Sequence, residues 1–308
     1  MNKKPLISYL VALYNKRQFV IEAIESILAE QTSEFNLEIC IVDDGSTDGG
    51  YEAIVERYGQ KPEFKYDRFA ENRGKNCAFN RAFELSSGDF VCLMGADDIL
   101  VPGRTQILLK ASSRAGKSVY GALIAVSADR SRRLYRRVPG SPSRIGNILA
   151  NEFPGGAGML TRKHAQDVFP IPVHLRFEDW WISFGLMRQD AIAVVQCDVL
   201  YYRIHGGNDS GCEKGGAELL RRQSERAIPA LLSFAPYLRS SWERYHWKRS
   251  IAFRKLAVGE RKIAHILFLY PDFFYIKTIC LFLFGASMIY NVRDFLATIA
   301  RRNPLTDE

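Results

Sequence analysis

The stretch from residue 37 to residue 50, LEICIVDDGSTDGG, constrains the fold more than any other part of the chain. Its apolar first half is typical of a strand that is buried on both faces of an α/β sheet. Asp43 and Asp44 stand where that strand ends, and the turn after them predicts a helix over Tyr51–Tyr58. Three side chains of the turn are expected to cap this helix: Ser46, Thr47 and Asp48. Because ligands bind at the carboxyl ends of such strands, the two carboxylates mark a candidate site.

Strands and helices are predicted to alternate on both sides of this stretch. Strands are expected at Leu6–Leu13, Phe64–Phe69, Phe90–Met94 and Ser118–Val126, and helices at Val20–Glu30, Asn76–Ser86 and Arg104–Ala115. Later segments predict a helix at Ile145–Asn151, a strand at Met159–Thr161 and a hairpin-like pair of strands at Ile192–Val195 and Val199–Tyr202. Alternation over the first part of the chain favours a largely parallel sheet with right-handed crossovers.

Two further acidic pairs stand at the ends of predicted elements. Asp97 and Asp98 follow the predicted strand Phe90–Met94, where they either cap a hydrated turn or bind a ligand. Glu178 and Asp179 open a predicted helix, and acids favour the first turn of any helix. Taken alone, therefore, each pair has a structural explanation as well as a functional one.

Three motifs occur along the chain in a fixed order: LISYLVALYN, VDDGSTDGG and ENRGKNCAFNRAFELSSGDFVCLMGADD. Together they resemble the family 2 inverting glycosyltransferases, which have the GT-A fold. The resemblance covers roughly the first two thirds of the chain and fades after about Asp209. It implies an α/β fold with a mostly parallel central sheet flanked by helices. The expected GT-A domain is 1–212, with a nucleotide-binding half at 1–100 and an acceptor half at 101–212.

The resemblance also implies roles for residues on the donor side. Asp97 matches the metal-ligating carboxylate, and His205, in a mobile loop of pattern R-x-H-G-G-N-x-S, is expected to complete the metal site. Asp43 is expected to hydrogen-bond the uracil ring, and the backbone at Ala12 to support it. The full set implied for nucleotide-sugar binding is Ala12, Tyr14, Asp43, Asp44, Gly74, Ala96 and Asp97. Gly95 replaces the first Asp of the family motif D-x-D-D, so a contact to the ribose is expected to be lost.

On the acceptor side, the acidic pair followed by an aromatic residue resembles the family's catalytic-base signature. Asp179 is the expected base, and the resemblance places Glu178, Trp180 and Trp181 beside the acceptor. The two tryptophans are equally compatible with a core position and with a platform on which a sugar stacks.

The implied reaction is inverting transfer of a single sugar from a nucleotide-diphosphate sugar, expected to be a UDP-sugar, to a hydroxyl of a glycan or lipid-linked glycan. The implied cofactor is Mg²⁺ or Mn²⁺, because both ions suit oxygen ligands. Two alternatives are a polyprenyl-phosphate glycosyltransferase and a non-catalytic donor-binding relative. A nucleotidyltransferase would need an N-terminal glycine-rich phosphate loop, which is absent between Leu6 and Lys16. A processive polymer synthase would carry the motif Q-x-x-R-W, which is also absent.

The segment DRSRRLYRRVPGSPSR, residues 129–144, packs six arginines around Tyr135. A solvated hairpin is the simpler interpretation. The alternative is an arginine clamp on the phosphates of an acceptor, since a guanidinium fork suits such oxygens.

The positive charge of the chain is concentrated in its last third. Through Glu213 there are 26 Lys+Arg and 26 Asp+Glu, and 16 against 8 follow, which accounts for the net charge of +8. Helices are expected after Gly215, and Phe273–Tyr290 is mostly apolar. The uninterrupted run between Lys277 and Arg293 has 15 residues, too few at about 1.5 Å each to cross a hydrocarbon core of roughly 30 Å.

The tail, 213–308, is therefore expected to lie in the interface of an anionic membrane rather than to bind nucleic acid. A spanning helix and an oligomer formed through these helices are the alternatives. The six cysteines show no CxxC pair and no zinc spacing, which is typical of reduced thiols in a cytosolic protein. The N-terminus predicts a first strand and no signal peptide. Together these features predict a cytoplasmic protein associated peripherally with the inner face of the membrane.

Overall fold

The computed structural model of the chain describes residues 4–208 and 217–260. The chain divides into two compact units, Met1–Ser210 and Gly211–Glu308. In the first unit the strands are β1 (Leu6–Leu13), β2 (Asn36–Asp43), β3 (Phe64–Arg68), β4 (Phe90–Gly95), β5 (Ile99–Leu100), β6 (Ser118–Ser127), β7 (Arg133–Arg137), β8 (Gly158–Thr161) and β9 (Ile192–Ile204). The helices are α1 (Arg17–Leu28), α2 (Gly50–Tyr58), α3 (Lys75–Leu85), α4 (Arg104–Ala115), α5 (Arg144–Leu149), α6 (Arg162–Val168) and α7 (Glu178–Arg188).

The strands form one mixed sheet in the order β3-β2-β1-β4-β8-β6-β9-β5, with β7 paired to β6. The four strands β3, β2, β1 and β4 are parallel, as predicted from the alternation of strands and helices. Beyond β4 the sheet is mixed, because β8 pairs antiparallel with both β4 and β6 while β6 and β9 run parallel. The α/β class is thereby confirmed, and the parallel half carries the predicted site at its carboxyl edge.

Apolar side chains cover both faces of the sheet, as the continuous apolar run of β2 predicts. Ile39 and Ile41 belong to one buried cluster, whereas Cys40 and Val42 belong to the cluster on the other face. Successive side chains of a strand point to opposite faces, so a strand covered on both sides must be apolar throughout. This burial fixes the carboxyl end of β2 rigidly between β1 and β3.

Two local predictions are wrong. Residues 192–204 form the single strand β9 and not a hairpin, since both predicted segments pair in parallel with β6 and the register shifts between them. Of the three expected caps of α2, only Asp48 bonds the helix, accepting the Gly50 N–H at 2.9 Å. Ser46 Oγ instead accepts the N–H of Asn15, in the loop after β1, at 2.9 Å.

In the second unit, the described residues form α8 (Ala217–Phe234) and α9 (Ser241–Ala257), which pack against each other. Ala227 and Leu231 are buried, whereas Trp242 is 62% exposed. Ser240 caps α9 by accepting the N–H of Glu243 at 3.0 Å. Among residues 4–208 and 217–260, no helix combines the length and apolarity that crossing a membrane requires. The predicted apolar segment Phe273–Tyr290 lies outside the described residues.

Candidate active site

The carboxyl ends of β1, β2 and β4 lie side by side and carry the predicted donor residues. Ala12 of β1 is in register with Val42 on one side and Gly95 on the other. The strand ends therefore bring together the residues expected at the nucleotide: Ala12, Tyr14, Asp43, Asp44, Ala96 and Asp97. Tyr14 is 44% exposed, which leaves its ring accessible beside this edge.

Asp43 is fully buried and is held by two partners. Its carboxylate oxygens accept the N–H of Ser46 at 3.2 Å, and Oδ2 lies 2.9 Å from Nε of Arg68. Arg68 also donates to the carbonyl oxygen of Ser46 at 2.9 Å. Arg68 was not expected from the sequence, although a cation that ends the strand next to Asp43 is the signal that would have identified it.

Asp44 fixes the start of α3 against the end of β2. Its carboxylate accepts the N–H of Arg73 at 2.7 Å and the N–H of Gly74 at 2.9 Å. Burial raises the pKa of Asp44, and the two amide hydrogen bonds oppose that rise. Gly45 has φ of +74°, and a Cβ there would lie 2.7 Å from the carbonyl carbon of Glu71, so only glycine fits this close approach.

Asp97 and His205, the two predicted metal ligands, are in direct contact. His205 Nε2 lies 2.9 Å from Asp97 Oδ2. Lys16 contacts the same oxygen, with its Nζ at 2.7 Å, and also donates to the carbonyl oxygen of Gly207 at 2.8 Å. Lys16 follows the end of β1 and was not identified from the sequence, because its partner His205 is 189 residues away.

The hydrogen bonds of His205 define its tautomer. The N–H of Gly207 donates to Nδ1 at 3.1 Å, so the proton of a neutral ring is on Nε2. Nε2 therefore donates to Asp97 Oδ2. The ring of Phe19 packs on the imidazole with a centroid distance of 4.6 Å, which holds its orientation.

Asp98 is buried behind Asp97. Its Oδ1 accepts the N–H of Arg203 at 3.0 Å, and burial together with the charge of Asp97 raises the pKa of Asp98 well above its ordinary value. A Cβ on Gly95 would lie 2.9 Å from Asp97 Oδ1 and 3.0 Å from Asp98 Oδ2. Glycine at this position therefore leaves room for two closely spaced carboxylates, and an acid there would crowd both.

Asp97 and His205 offer one oxygen and one nitrogen ligand to a cation. Carboxylate and imidazole are ligands that Mn²⁺ accepts, and the ammonium of Lys16 shows that this point attracts positive charge. Among the described residues there is no group of three or more His, Cys, Asp or Glu side chains that would enclose a metal. Among the described residues, Asp97 and His205 thus offer two ligands that fit a divalent cation.

The short 3-10 turn Gly155–Ala157 separates Asp98 from Asp179. A Cβ on Gly156 would lie 3.8 Å from Asp98 Oδ2, and a Cβ on Gly155 would lie 3.3 Å from the Cβ of Asp179. The buried Arg104 holds the turn from below, donating to the carbonyl oxygens of Gly156 at 2.7 Å and Gly158 at 3.0 Å. This turn of small residues therefore contacts two acidic groups, Asp98 and Asp179.

The two acids that open α7 have different environments. Glu178 Oε2 is 2.8 Å from Nζ of Lys75, at the start of α3. Burial raises the pKa of Glu178, and the Lys75 ammonium opposes this effect. Asp179 accepts the N–H of Trp180 on Oδ1 at 2.9 Å, and its other oxygen has no hydrogen bond to any residue in 4–208 or 217–260. Asp179 is the acid of this pair that is available to a substrate.

The motifs and their arrangement agree with a known family. The family model described as "Glycosyl transferase family 2" matches residues 8–166, more than half of the 308 residues. The chain belongs to glycosyl transferase family 2. It is therefore a glycosyltransferase, and the enzyme class expected from the sequence is confirmed.

Curated relatives of this family 2 transferase share part of its length. An uncharacterized glycosyltransferase of Nostoc sp. is 30% identical over 218 residues, which is 66% of this chain and 66% of that protein. Chondroitin synthase of Escherichia coli is 30% identical over 35% of this chain and 16% of its own length. Abequosyltransferase RfbV of Salmonella typhimurium is 34% identical over 33% of this chain and 31% of its own length. The chain thus spans less than two thirds of each of these relatives.

Solved structures with the same fold are more distant in sequence. S. aureus TarS 1-349 in complex with UDP-GlcNAc has a TM-score of 0.57 at 18% identity, covering 91% of this chain and 81% of that one. The mannosyltransferase PcManGT from Pyrobaculum calidifontis, in complex with GDP-Man and Mn²⁺, has a TM-score of 0.58 at 16% identity, covering 98% and 82%. The predicted GT-A fold is confirmed by this similarity and by the mixed sheet flanked by helices.

Trp180 of this transferase takes the core position, one of the two positions compatible with the sequence. Trp180 is only 1% exposed, and its indole N–H donates to the carbonyl oxygen of Asn147 at 2.5 Å, so no sugar can stack on its ring. Trp181 is half-buried and donates to the carbonyl oxygen of Val168 at 2.9 Å. Helix α7 turns these rings inward because both of their N–H groups find carbonyl partners in the core.

The arginine-rich segment forms an exposed hairpin, the simpler of the two interpretations. β7 pairs with β6, and Arg136 Nε lies 2.6 Å from Asp198 Oδ1. Arg137 donates to the carbonyl oxygen of Asn151, and Arg130 is paired with Glu22. These three guanidinium groups already bind partners within the chain.

Proposed function

We propose that this enzyme transfers a single sugar, with inversion, from a nucleotide-diphosphate sugar to a hydroxyl of a glycan or lipid-linked glycan. The observation that carries the proposal is the contact of one glycine turn with both Asp179 and Asp98, whose neighbour Asp97 binds the Lys16 ammonium at the carboxyl edge of the parallel strands. The names of the relatives, a chondroitin synthase and an abequosyltransferase, support a surface-glycan product. A UDP-sugar is the proposed donor, in line with the UDP-GlcNAc complex of TarS.

On the donor side, the carboxyl edge of β1, β2 and β4 would bind the nucleotide. In this proposal Asp43 would hydrogen-bond the base, sharing its carboxylate with Arg68 and the Ser46 amide. The other residues of the proposed donor site are Ala12, Tyr14, Asp44, Gly74, Ala96 and Asp97. Asp44 acts indirectly in this scheme, by holding the backbone of Gly74 against the site.

The proposed cofactor is Mg²⁺ or Mn²⁺, which Asp97 and His205 would hold. Such an ion supplies charge neutralisation to the departing nucleoside diphosphate. The Mn²⁺ in the structure of the Pyrobaculum mannosyltransferase supports this choice.

Asp179 is the proposed base. The incoming hydroxyl is a poor nucleophile until a base accepts its proton, and the carboxylate of Asp179 has an oxygen with no hydrogen-bond partner among the described residues. Glu178, which is paired with Lys75, is less suited to this role and would position the start of α7 on the acceptor side. Attack from the face opposite the nucleotide displaces the diphosphate and inverts the anomeric carbon.

Three segments of the chain would have different functions. Residues 1–100 would bind the donor, 101–212 the acceptor, and 213–308 would associate peripherally with the cytoplasmic face of an anionic membrane. The last assignment is supported by the excess of basic residues after Glu213. Oligomer formation through the same helices is the competing assignment.

A non-catalytic donor-binding protein is the second candidate, and Gly95 is the observation that favours it. A polyprenyl-phosphate acceptor is a third, favoured by the basic tail. Ile99 and Leu100, where such synthases usually carry a glutamine, form strand β5 and are buried, so they present no polar group to that acceptor.

The test is a panel of UDP- and GDP-sugars incubated with purified protein, with nucleotide release measured with Mn²⁺ and with EDTA. We expect one or a few donors to be hydrolysed slowly with Mn²⁺ and not with EDTA. Donor binding without release under any condition, including added glycan acceptors, would favour the non-catalytic candidate.

A further inference from the structure

The side-chain ammonium of Lys16 contacts both Asp97 and His205 in the candidate site. Its Nζ is 2.7 Å from Asp97 Oδ2 and 3.4 Å from His205 Nε2, and both Lys16 and Asp97 side chains are largely buried. The same ammonium donates to the carbonyl oxygen of Gly207 at 2.8 Å. One protein-borne cation thus contacts both proposed metal ligands and the loop that carries one of them.

Lys16 also fixes the loop 205–208 to the strand edge. Gly207 is bound to Lys16 through its carbonyl oxygen and to His205 Nδ1 through its N–H. The side-chain amide of Asn208 donates to the carbonyl oxygen of Arg203, at the end of β9, at 2.9 Å. The loop conformation therefore depends on the Lys16 ammonium and on the Nε2–H tautomer of His205.

A divalent cation held by Asp97 and His205 would meet the Lys16 ammonium, which already contacts Oδ2 of Asp97. Because two positive charges this close repel each other, the cation and the ammonium would compete for the Asp97 carboxylate, and a metal-binding Nε2 of His205 would have to be unprotonated. A neutral ring with free Nε2 has its proton on Nδ1, facing the N–H of Gly207 that now donates to it. The Lys16 ammonium and the hydrogen bond from Gly207 to Nδ1 therefore both oppose metal binding in this arrangement.

We propose that Lys16 is a resident cation of the donor site that competes with the divalent metal for Asp97 and holds the loop 205–208 in place until the metal enters. The inference rests on the proposed function of the site. Once displaced from Asp97, the ammonium stays beside the strand edge, where it adds positive charge for the diphosphate of the donor. Lys16 thereby opposes metal binding and favours nucleotide binding.

Those two opposite effects form the test. For Lys16→Met in the full chain, we expect the affinity for Mn²⁺ alone, measured by the electron paramagnetic resonance signal of free Mn²⁺, to rise about tenfold. We expect the affinity for UDP in EDTA, measured calorimetrically, to fall about three- to tenfold. A merely structural role of Lys16 would lower both affinities together.

Two further variants serve as references. Lys16→Arg keeps the charge and should hold Mn²⁺ as weakly as the wild-type protein. Lys117→Met removes an ion pair of similar length but greater exposure, with Asp190 at 2.8 Å, at the opposite end of β9, and should change neither affinity. GDP replaces UDP in a parallel series.

The possible results distinguish failure of the Lys16 competition from failure of the proposed function. If the wild-type protein binds Mn²⁺ and nucleotide, but folded Lys16→Met binds Mn²⁺ no more tightly than the wild type, then the competition between Lys16 and the metal is overturned and the proposed function is not. Absence of any nucleotide binding by the wild-type protein overturns the proposed function and this inference with it. Thermal melting curves of each variant establish that it is folded before the titrations.

Discussion

A Cβ carbon on Gly155 would lie 3.3 Å from the Cβ carbon of Asp179, closer than such atoms comfortably pack. The backbone of the turn Gly155–Ala157 therefore packs directly against the side chain of Asp179, the proposed base. Arg104, buried beneath the turn, fixes it through two carbonyl oxygens. The position of the base thus depends on residues that do not contact the substrate.

Asp179→Asn should bind the donor normally and transfer sugar more slowly, by about two to four orders of magnitude. The reason is that a base accepts its proton only in the transition state. Turnover with the true acceptor and UDP affinity are the two measurements. Near-wild-type turnover would mean that the base lies elsewhere, and Glu178→Gln would then be compared under the same conditions.

Gly155→Ala should lower kcat about tenfold while leaving UDP and Mn²⁺ binding unchanged. The added methyl group must displace Asp179 by a few tenths of an ångström, and small misplacement of a catalytic group is costly. Gly140→Ala is the matched control, because a Cβ there lies 3.4 Å from Glu152 Oε2, an ordinary contact. Equal kcat values for the two alanine variants would contradict the positioning role.

Local patterning was sufficient to predict much of the scaffold. The bounds of β1 and α4 agree with the predicted ones, because continuous apolar runs and a 3.6-residue period are local properties. The positions of Asp43 and Asp97 followed from the rule that parallel strands present their carboxyl ends at one edge. The strand edge that carries the site was therefore predictable.

The contacts that complete the site were not predictable in the same way. Lys16 meets His205 across 189 residues, and no local period encodes such a pairing. The sequence predicted two strands in place of β9 because its polar middle, near Cys197, has the composition of a turn. In the structure the strand continues through these residues, and its register against β6 shifts there. Trp180 lies in the core because the carbonyl oxygen of Asn147 satisfies its indole N–H, a tertiary partner that the helix pattern does not reveal.

Asp97→Asn should abolish the enhancement of UDP binding by Mn²⁺. The substitution removes the charged oxygen ligand that a hard cation needs. Calorimetric titration of UDP with and without Mn²⁺ measures the effect. Asp190→Asn is the control, since Asp190 is an exposed acid that precedes β9 while His205 follows it. An unchanged Mn²⁺ effect in the Asp97 variant would remove this residue from the metal site.

Glu38 makes the stability of the fold depend on pH. Burial would raise the pKa of Glu38, but hydrogen bonds from Lys65, Ser8 and Ser87 outweigh it and lower the pKa from 4.5 to about 2. The unfolded chain therefore takes up the proton first as pH falls. The stabilisation is complete above pH 4.5 and is lost as pH falls towards about 2.

Glu38→Gln should accordingly lower the free energy of unfolding by about 2–3 kcal/mol at pH 7, an effect that shrinks steadily below pH 4.5. Urea unfolding at a series of pH values measures it. Glu84→Gln, which removes an exposed acid paired with Arg81, should change the free energy of unfolding by less than about 0.5 kcal/mol. A pH-independent loss in the Glu38 variant would show that packing, and not the carboxylate charge, is responsible.

The last prediction concerns the basic second unit. Attraction of Lys and Arg to anionic lipid contributes about 1 kcal/mol per residue near the surface, and burial of apolar side chains at the acyl boundary adds to it. The full chain should therefore co-sediment with anionic vesicles at low salt and be released as salt increases. A chain ending at Ser210, the last residue of the first unit, should stay in the supernatant. Because the described donor residues all precede that point, the shortened chain should still bind UDP. If the full-length protein remains in the supernatant at low salt and sediments as an oligomer in analytical ultracentrifugation, the second unit serves self-association instead.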